Sequence, residues 1–185
     1  MGTALPKDDL QLQEAFKSII AIDTLSPHIM DLAKLIHNGE LDKESIEKVL
    51  KAHKIRKIER IKKGILDLLI AYINLILKDH IITDAEKKNI ELLKKYFKIK
   101  EGDFYKYRRD AVAECLTRQF ELIYSDNVID KNEALHNVGL QDLFDLSYDQ
   151  IEEFKEKEVL NALERGANII DLDTTKYPKD TSNND

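Results

Sequence analysis

Apolar positions recur at three- and four-residue intervals along most of the chain, the period of helices that bury one face. Leu10, Phe16, Ile19 and Ile20 mark a first helix after Pro6. Pro27 opens a second through Ile29, Leu32, Ala33, Leu35 and Ile36, and His37-Asn38-Gly39 closes it. From Asp42 the pattern resumes through Ile46, Val49 and Leu50. A basic stretch, KAHKIRKIERIKKG, then keeps Ile55, Ile58, Ile61 and Ile65 on one helical face. Gly64 either separates this stretch from the next helix or sits inside it. Helices over 65–78 and 84–97 follow, then a long one through Phe104, Tyr107, Val112, Leu116, Phe120 and Ile123. Another is predicted near 131–141. Ser147 with Gln150 forms a capping box for a last helix running to about Arg165, which Gly166 closes. Ile169, Ile170 and Leu172 are placed to tether the chain beyond it.

Composition agrees with the pattern. Of 185 residues only 6 are Gly and 3 Pro, and tight turns are correspondingly few. The expected fold is all-α, a compact helical bundle. An N-terminal helical extension (1–52) precedes the main helical domain (53–172), and a disordered acidic tail (173–185) ends the chain. The most apolar run, Ile65 to Leu77, carries Asp67 and Asn74 and is too short to cross a bilayer, so it reads as a buried core helix. No basic flank followed by an apolar run opens the chain, and its single cysteine, Cys115, excludes an internal disulfide. A cytoplasmic location is therefore expected.

Two acidic turns stand out, LKDHIITDAEKK and YSDNVIDKNEAL, with Asp79 and Asp126 separated by 47 residues. At that offset Leu69 meets Leu116, Ile73 meets Phe120, Leu93 meets Leu140 and Phe97 meets Phe144. Phe104 likewise meets Ile151, and Tyr107 meets Phe154. The matches fall on core-facing positions, as in a duplicated helical unit. A fainter third copy lies in NGELDKES, where Asn38, Leu41 and Asp42 match Asp79, Ile82 and Thr83 but Ser45 replaces the glutamate.

Helix capping explains part of both turns. Thr83 with Glu86, and Asp130 with Glu133, each have the spacing of a capping box, with Ile82 and Ile129 as apolar staples. Capping leaves Asp79 and Asp126 unexplained, because a carboxylate at a helix C-terminus faces the wrong end of the dipole. A divalent cation held by Asp79, Glu86, Asp126 and Glu133 would account for them, and an all-oxygen set suits Ca²⁺, Mg²⁺ or Mn²⁺. His80 and His136 would shift such a site toward zinc or nickel. Neither turn is an EF-hand loop: counted from Asp126, Val128, Lys131 and Asn137 occupy places that need acid, Gly and Glu.

An apolar helix, then D-x-x-[IV]-[TD]-x-x-E, then a second apolar helix resembles the TerB-like domains of bacterial tellurite-resistance and stress proteins. The resemblance spans about residues 60–160. It implies a compact fold of two related helical halves, the same four carboxylates as cation ligands, and a part in stress-linked protein assembly. The chain departs from the family turn at His80 and Asn127, where glycine is usual.

Charge adds one further candidate. The net charge of −6 argues against a general nucleic-acid binder, yet Lys51, Lys54, Arg56, Lys57, Arg60, Lys62 and Lys63 crowd one segment. It is read first as the solvated side of a helix, and next as a contact for an acidic protein or the acidic tail. Phosphate loops, nucleophile elbows, metalloprotease helices and triad spacings are absent. The expected role is non-catalytic, with another protein as partner. The alternative is a metal-free protein–protein interaction module acting through the N-terminal extension or the basic helix; a metal-assisted hydrolase ranks third.

Overall fold

The computed structural model describes residues 10–22, 24–79, 82–123, 128–129, 139–164 and 168–169, and the fold is all-α. Helices α1 (Leu10–Ala21), α2 (Pro27–His37) and α3 (Lys43–Ala52) lead into α4 (Lys62–Ile76) and α5 (Asp84–Tyr96). Then come α6 (Asp103–Ile123), α7, described over 139–144, and α8 (Tyr148–Glu164). Short 3-10 turns, Ile58–Ile61 and Leu77–Asp79, flank α4. Val128–Ile129 and Asn168–Ile169 pair in parallel, so Ile169 does tether the chain, through its backbone. Residues 131–138, Ile170, Leu172 and the tail lie outside the described residues.

The helix expected over 65–78 begins three residues earlier and sits at the centre of the core. Ile65, Leu66, Leu69, Tyr72, Ile73 and Ile76 are all buried, because α4 is apolar around most of its circumference. The core is continuous from Leu12 and Phe16 of α1 through Leu32 and Ile36 of α2 to Leu116 and Phe120 of α6. Burying each such side chain contributes about 1.5–3 kcal/mol. Gly64 lies inside α4, where a Cβ would stand 2.9 Å from Ile29 Cγ1. It permits the close approach of α2 and α4.

The basic stretch is not the single helical face suggested by its isoleucines. α3 ends at Ala52, and Lys54 takes a left-handed conformation (φ 55°) while the Ile55 amide donates to the Leu50 carbonyl at 2.8 Å. This Schellman-type closure reverses the chain before the 3-10 turn at Ile58–Ile61. Ile58, Ile61 and Ile65 still reach the core, but from two separate elements. The signal was hidden because a lysine, rather than glycine, accepts the positive φ.

The same closure ends α5 and α7. Lys98 (φ 55°) precedes an Ile99 amide bonded to Lys94 O at 2.9 Å; Asp145 (φ 49°) precedes a Leu146 amide bonded to Gln141 O at 3.1 Å. Lys98 and Asp145 are 47 residues apart, the offset found in the apolar pattern. Ile61 (φ −108°, ψ 13°) before α4 and Arg108 (φ −141°, ψ 31°) in α6 also share that offset, so α6 is kinked where the first copy starts a new helix. The Arg108 guanidinium grips Asp67 of α4 through both carboxylate oxygens, the longer bond measuring 2.7 Å. The faint third copy shares the cap, since Asp42 accepts the Ser45 amide at 2.7 Å as Thr83 accepts that of Glu86, but its α3 has 10 residues against 13 in α5 and Ser45 supplies no carboxylate in return. Three two-helix units result, α2–α3, α4–α5 and α6–α7, closed at Lys54, Lys98 and Asp145.

Candidate functional site

The first acidic turn is a complete capping box. Thr83 Oγ1 accepts the Glu86 amide at 3.2 Å, and Glu86 Oε2 accepts both the Thr83 amide and its hydroxyl at 2.8 Å. Glu86 is buried, and Ile82 packs so close to α7 that a Cβ on Gly139 would stand 2.8 Å from its Cδ1. Asp79 ends the 3-10 turn after α4, but its side chain is not described; Asp126, Asp130, Glu133, His80 and His136 also lie outside the described residues. The structure therefore places one of the four candidate ligands, and that one in a capping role. Among the described residues no group of three or more His, Cys, Asp or Glu side chains is arranged to hold a metal ion.

Capping and cation binding predict different behaviour for Glu86. If capping is its role, Glu86→Ala is expected to cost about 1–2 kcal/mol, and equally with chelator or excess Ca²⁺. Urea unfolding under both conditions measures this. A loss confined to the Ca²⁺ sample would make Glu86 a ligand.

Three histidines, His28, His37 and His53, are half-buried and each has a polar partner, Ser26 Oγ at 3.3 Å in the case of His28. His37 Nδ1–H donates to the Gln13 carbonyl at 3.0 Å and ties α2 to α1. His53 Nε2 meets the Asp31 carboxylate at 2.7 Å and ties the end of α3 to α2. His28 stacks edge-on to His53 with ring centres 5.9 Å apart. Cys115 is buried within α6, and burial pushes its thiol up to about 11. It stays neutral near pH 7, which makes it a poor nucleophile.

The arrangement with chemical potential is a groove of about 720 Å³ between α3, the connection after Lys54 and the end of α5. Ile46 and Ile58, both buried, form its floor with half-buried Leu50 and Tyr96. Around that floor stand five exposed cations, Lys43, Arg56, Lys57, Lys95 and Lys98. Only Glu47 and Glu59 among its lining residues carry the opposite charge, and Glu59 reaches Lys98 at 4.0 Å. Sequence reading singled out Arg56 and Lys57 but missed Lys95 and Lys98, which are some 40 residues away. They arrive because Ile58 and the end of α5 meet over the same core. The left-handed turn at Lys54 swings the basic connection off the line of α3, converting what would be a solvated helix face into a groove wall.

Such a groove can grip an anion that also has an apolar body, the cations orienting it and the floor desolvating it. Among the described residues no helix is long and apolar enough to cross a membrane. Compared with protein-family models, curated proteins and solved structures, the chain matches none.

Proposed function

We propose that the chain is a non-catalytic interaction module whose α3–α5 groove binds an acidic segment of another protein, anchored by apolar side chains. One observation carries this: five cations surround an apolar floor in a chain whose net charge is −6. Local charge opposite to the molecular net charge concentrates acidic partners at that place and steers their approach. Leu50 and Tyr96 offer the contact that retains them. Nucleic acid fits less well, since Tyr96 is the lone aromatic in the lining and the chain's net charge of −6 repels a long polyanion. The TerB-like likeness favours binding over chemistry and points to stress-linked assembly for the partner. A divalent cation at Asp79, Glu86, Asp126 and Glu133 belongs to that likeness, and the Glu86 experiment above bears on it.

The test uses a short fluorescent peptide of glutamates punctuated by leucines. The protein is expected to bind it, with an affinity that falls as salt rises. Arg56→Glu combined with Lys57→Glu should weaken binding at least tenfold, about 1.4 kcal/mol, while leaving the melting temperature unchanged. Equal binding by the folded double variant, or binding indifferent to salt, would overturn the proposal.

A further inference from the structure

The groove has a counterpart one unit further along. α5, the connection after Lys98 and the end of α7 line a second cleft of about 620 Å³. The shared helix endings set the correspondence: Lys54, Lys98 and Asp145 hold the left-handed position, and Ile55, Ile99 and Leu146 follow it. Three residues past Lys54 stands Lys57, and three past Lys98 stands Glu101. At the 47-residue offset Lys95 corresponds to Asp142 and Lys98 to Asp145. Three cations of the first groove are thus carboxylates in the second, which Glu91 makes more acidic still. Lys94, also in its lining, is already engaged: its ammonium donates to Asp145 Oδ1 at 2.6 Å and to the Asp142 carbonyl at 3.0 Å. Lys95 lines both clefts, so they adjoin along α5.

Repeated units that stack in one direction commonly bind a single extended segment across successive grooves. Here corresponding elements frame the two grooves, but the second carries mostly carboxylates and, with Ile99 and Leu146 as its apolar lining residues, lacks the apolar floor of the first. A uniformly acidic segment would be held in the first and repelled from the second.

We infer that the partner segment is charge-polarised, acidic where it lies between α3 and α5 and basic where it continues between α5 and α7. This rests on the function proposed above. Glu91 and Glu101 select the basic half, Asp142 being paired with Lys87 at 3.8 Å, and Lys95 marks the crossover.

Three labelled peptides test it with the full chain: the glutamate–leucine probe, the same probe extended by a lysine–leucine half, and an isomer of the extended peptide with Glu and Lys alternating. The polarised peptide is expected to bind about tenfold more tightly than the acidic probe, and the alternating isomer to gain nothing. Glu91→Lys with Glu101→Lys, both at exposed positions, should erase the gain without weakening the acidic probe. A polarised peptide that gains nothing, an alternating isomer that gains as much, or a gain that survives in the variant overturns the inference alone. Failure of the acidic probe to bind the unaltered protein overturns the α3–α5 reading and this one with it.

Discussion

Phe16→Ala should lower the free energy of unfolding by about 3–5 kcal/mol, one of the largest losses any single substitution here would cause. Phe16 is fully buried, and its ring centre lies 5.3 Å from that of Tyr72 in the central helix. α1 buries only Leu12 and Ile19 besides it, so removing the phenyl ring strips the helix of its main anchor and leaves a cavity against α4. Urea unfolding measures the loss. Limited proteolysis of the variant is expected to cut first within α1, ahead of global unfolding. A change below about 1 kcal/mol would mean that α1 is not seated on α4 as described.

Asp103→Ala is expected to cost a similar amount, roughly 3–5 kcal/mol, by a different route. Asp103 opens α6 with a side chain only 10% exposed, paired at 2.5 Å with the Lys62 ammonium, itself 15% exposed. The same carboxylate oxygen accepts the Lys100 amide at 2.8 Å. Truncation leaves the half-buried Lys62 ammonium and the Lys100 amide without their shared partner, and the ammonium is the more expensive to leave unpaired. Pairing Lys62→Met with Asp103→Leu should restore much of the stability, since two well-packed apolar side chains leave no charge to desolvate. Additive losses in that double variant would show that the pair is replaceable by neither packing nor charge.

The parts of the fold visible in the chain are those that local chemistry sets. Pro27 at the start of α2, Thr83 with Glu86, and Ser147 with Gln150 act where they stand, and the structure has each in the expected place. The 47-residue offset was visible because a shared core preserves apolar positions such as Leu93 and Leu140. The end of α5 falls within a residue of the expected 97, whereas Lys54 and Asp145 hid the closures of α3 and α7, because they hold a left-handed conformation that glycine would advertise. Arg108 hid the kink in α6 for the same reason: nothing in its neighbours breaks a helix, and its bond to Asp67 exists only after folding.

The candidate site was legible in half of its parts. Arg56 and Lys57 were conspicuous as a basic run, whereas their meaning depended on Lys95 and Lys98 arriving across the groove. The acidic turns drew attention for the opposite reason. The second turn lies outside the described residues, and in the first Glu86 shows that helix capping is sufficient to place a glutamate there.

The central claim is that opposite charge and an apolar floor, acting together, hold an acidic segment in the α3–α5 groove. A charge exchange tests it most directly. The Arg56→Glu/Lys57→Glu protein is titrated, at low salt, with the glutamate–leucine peptide and with a version in which the glutamates facing the altered positions are lysines. The account predicts that the variant loses the first peptide and gains the second, while the unaltered protein does the reverse. If the variant binds neither peptide, or both as the unaltered protein does, the groove is not where the partner is held.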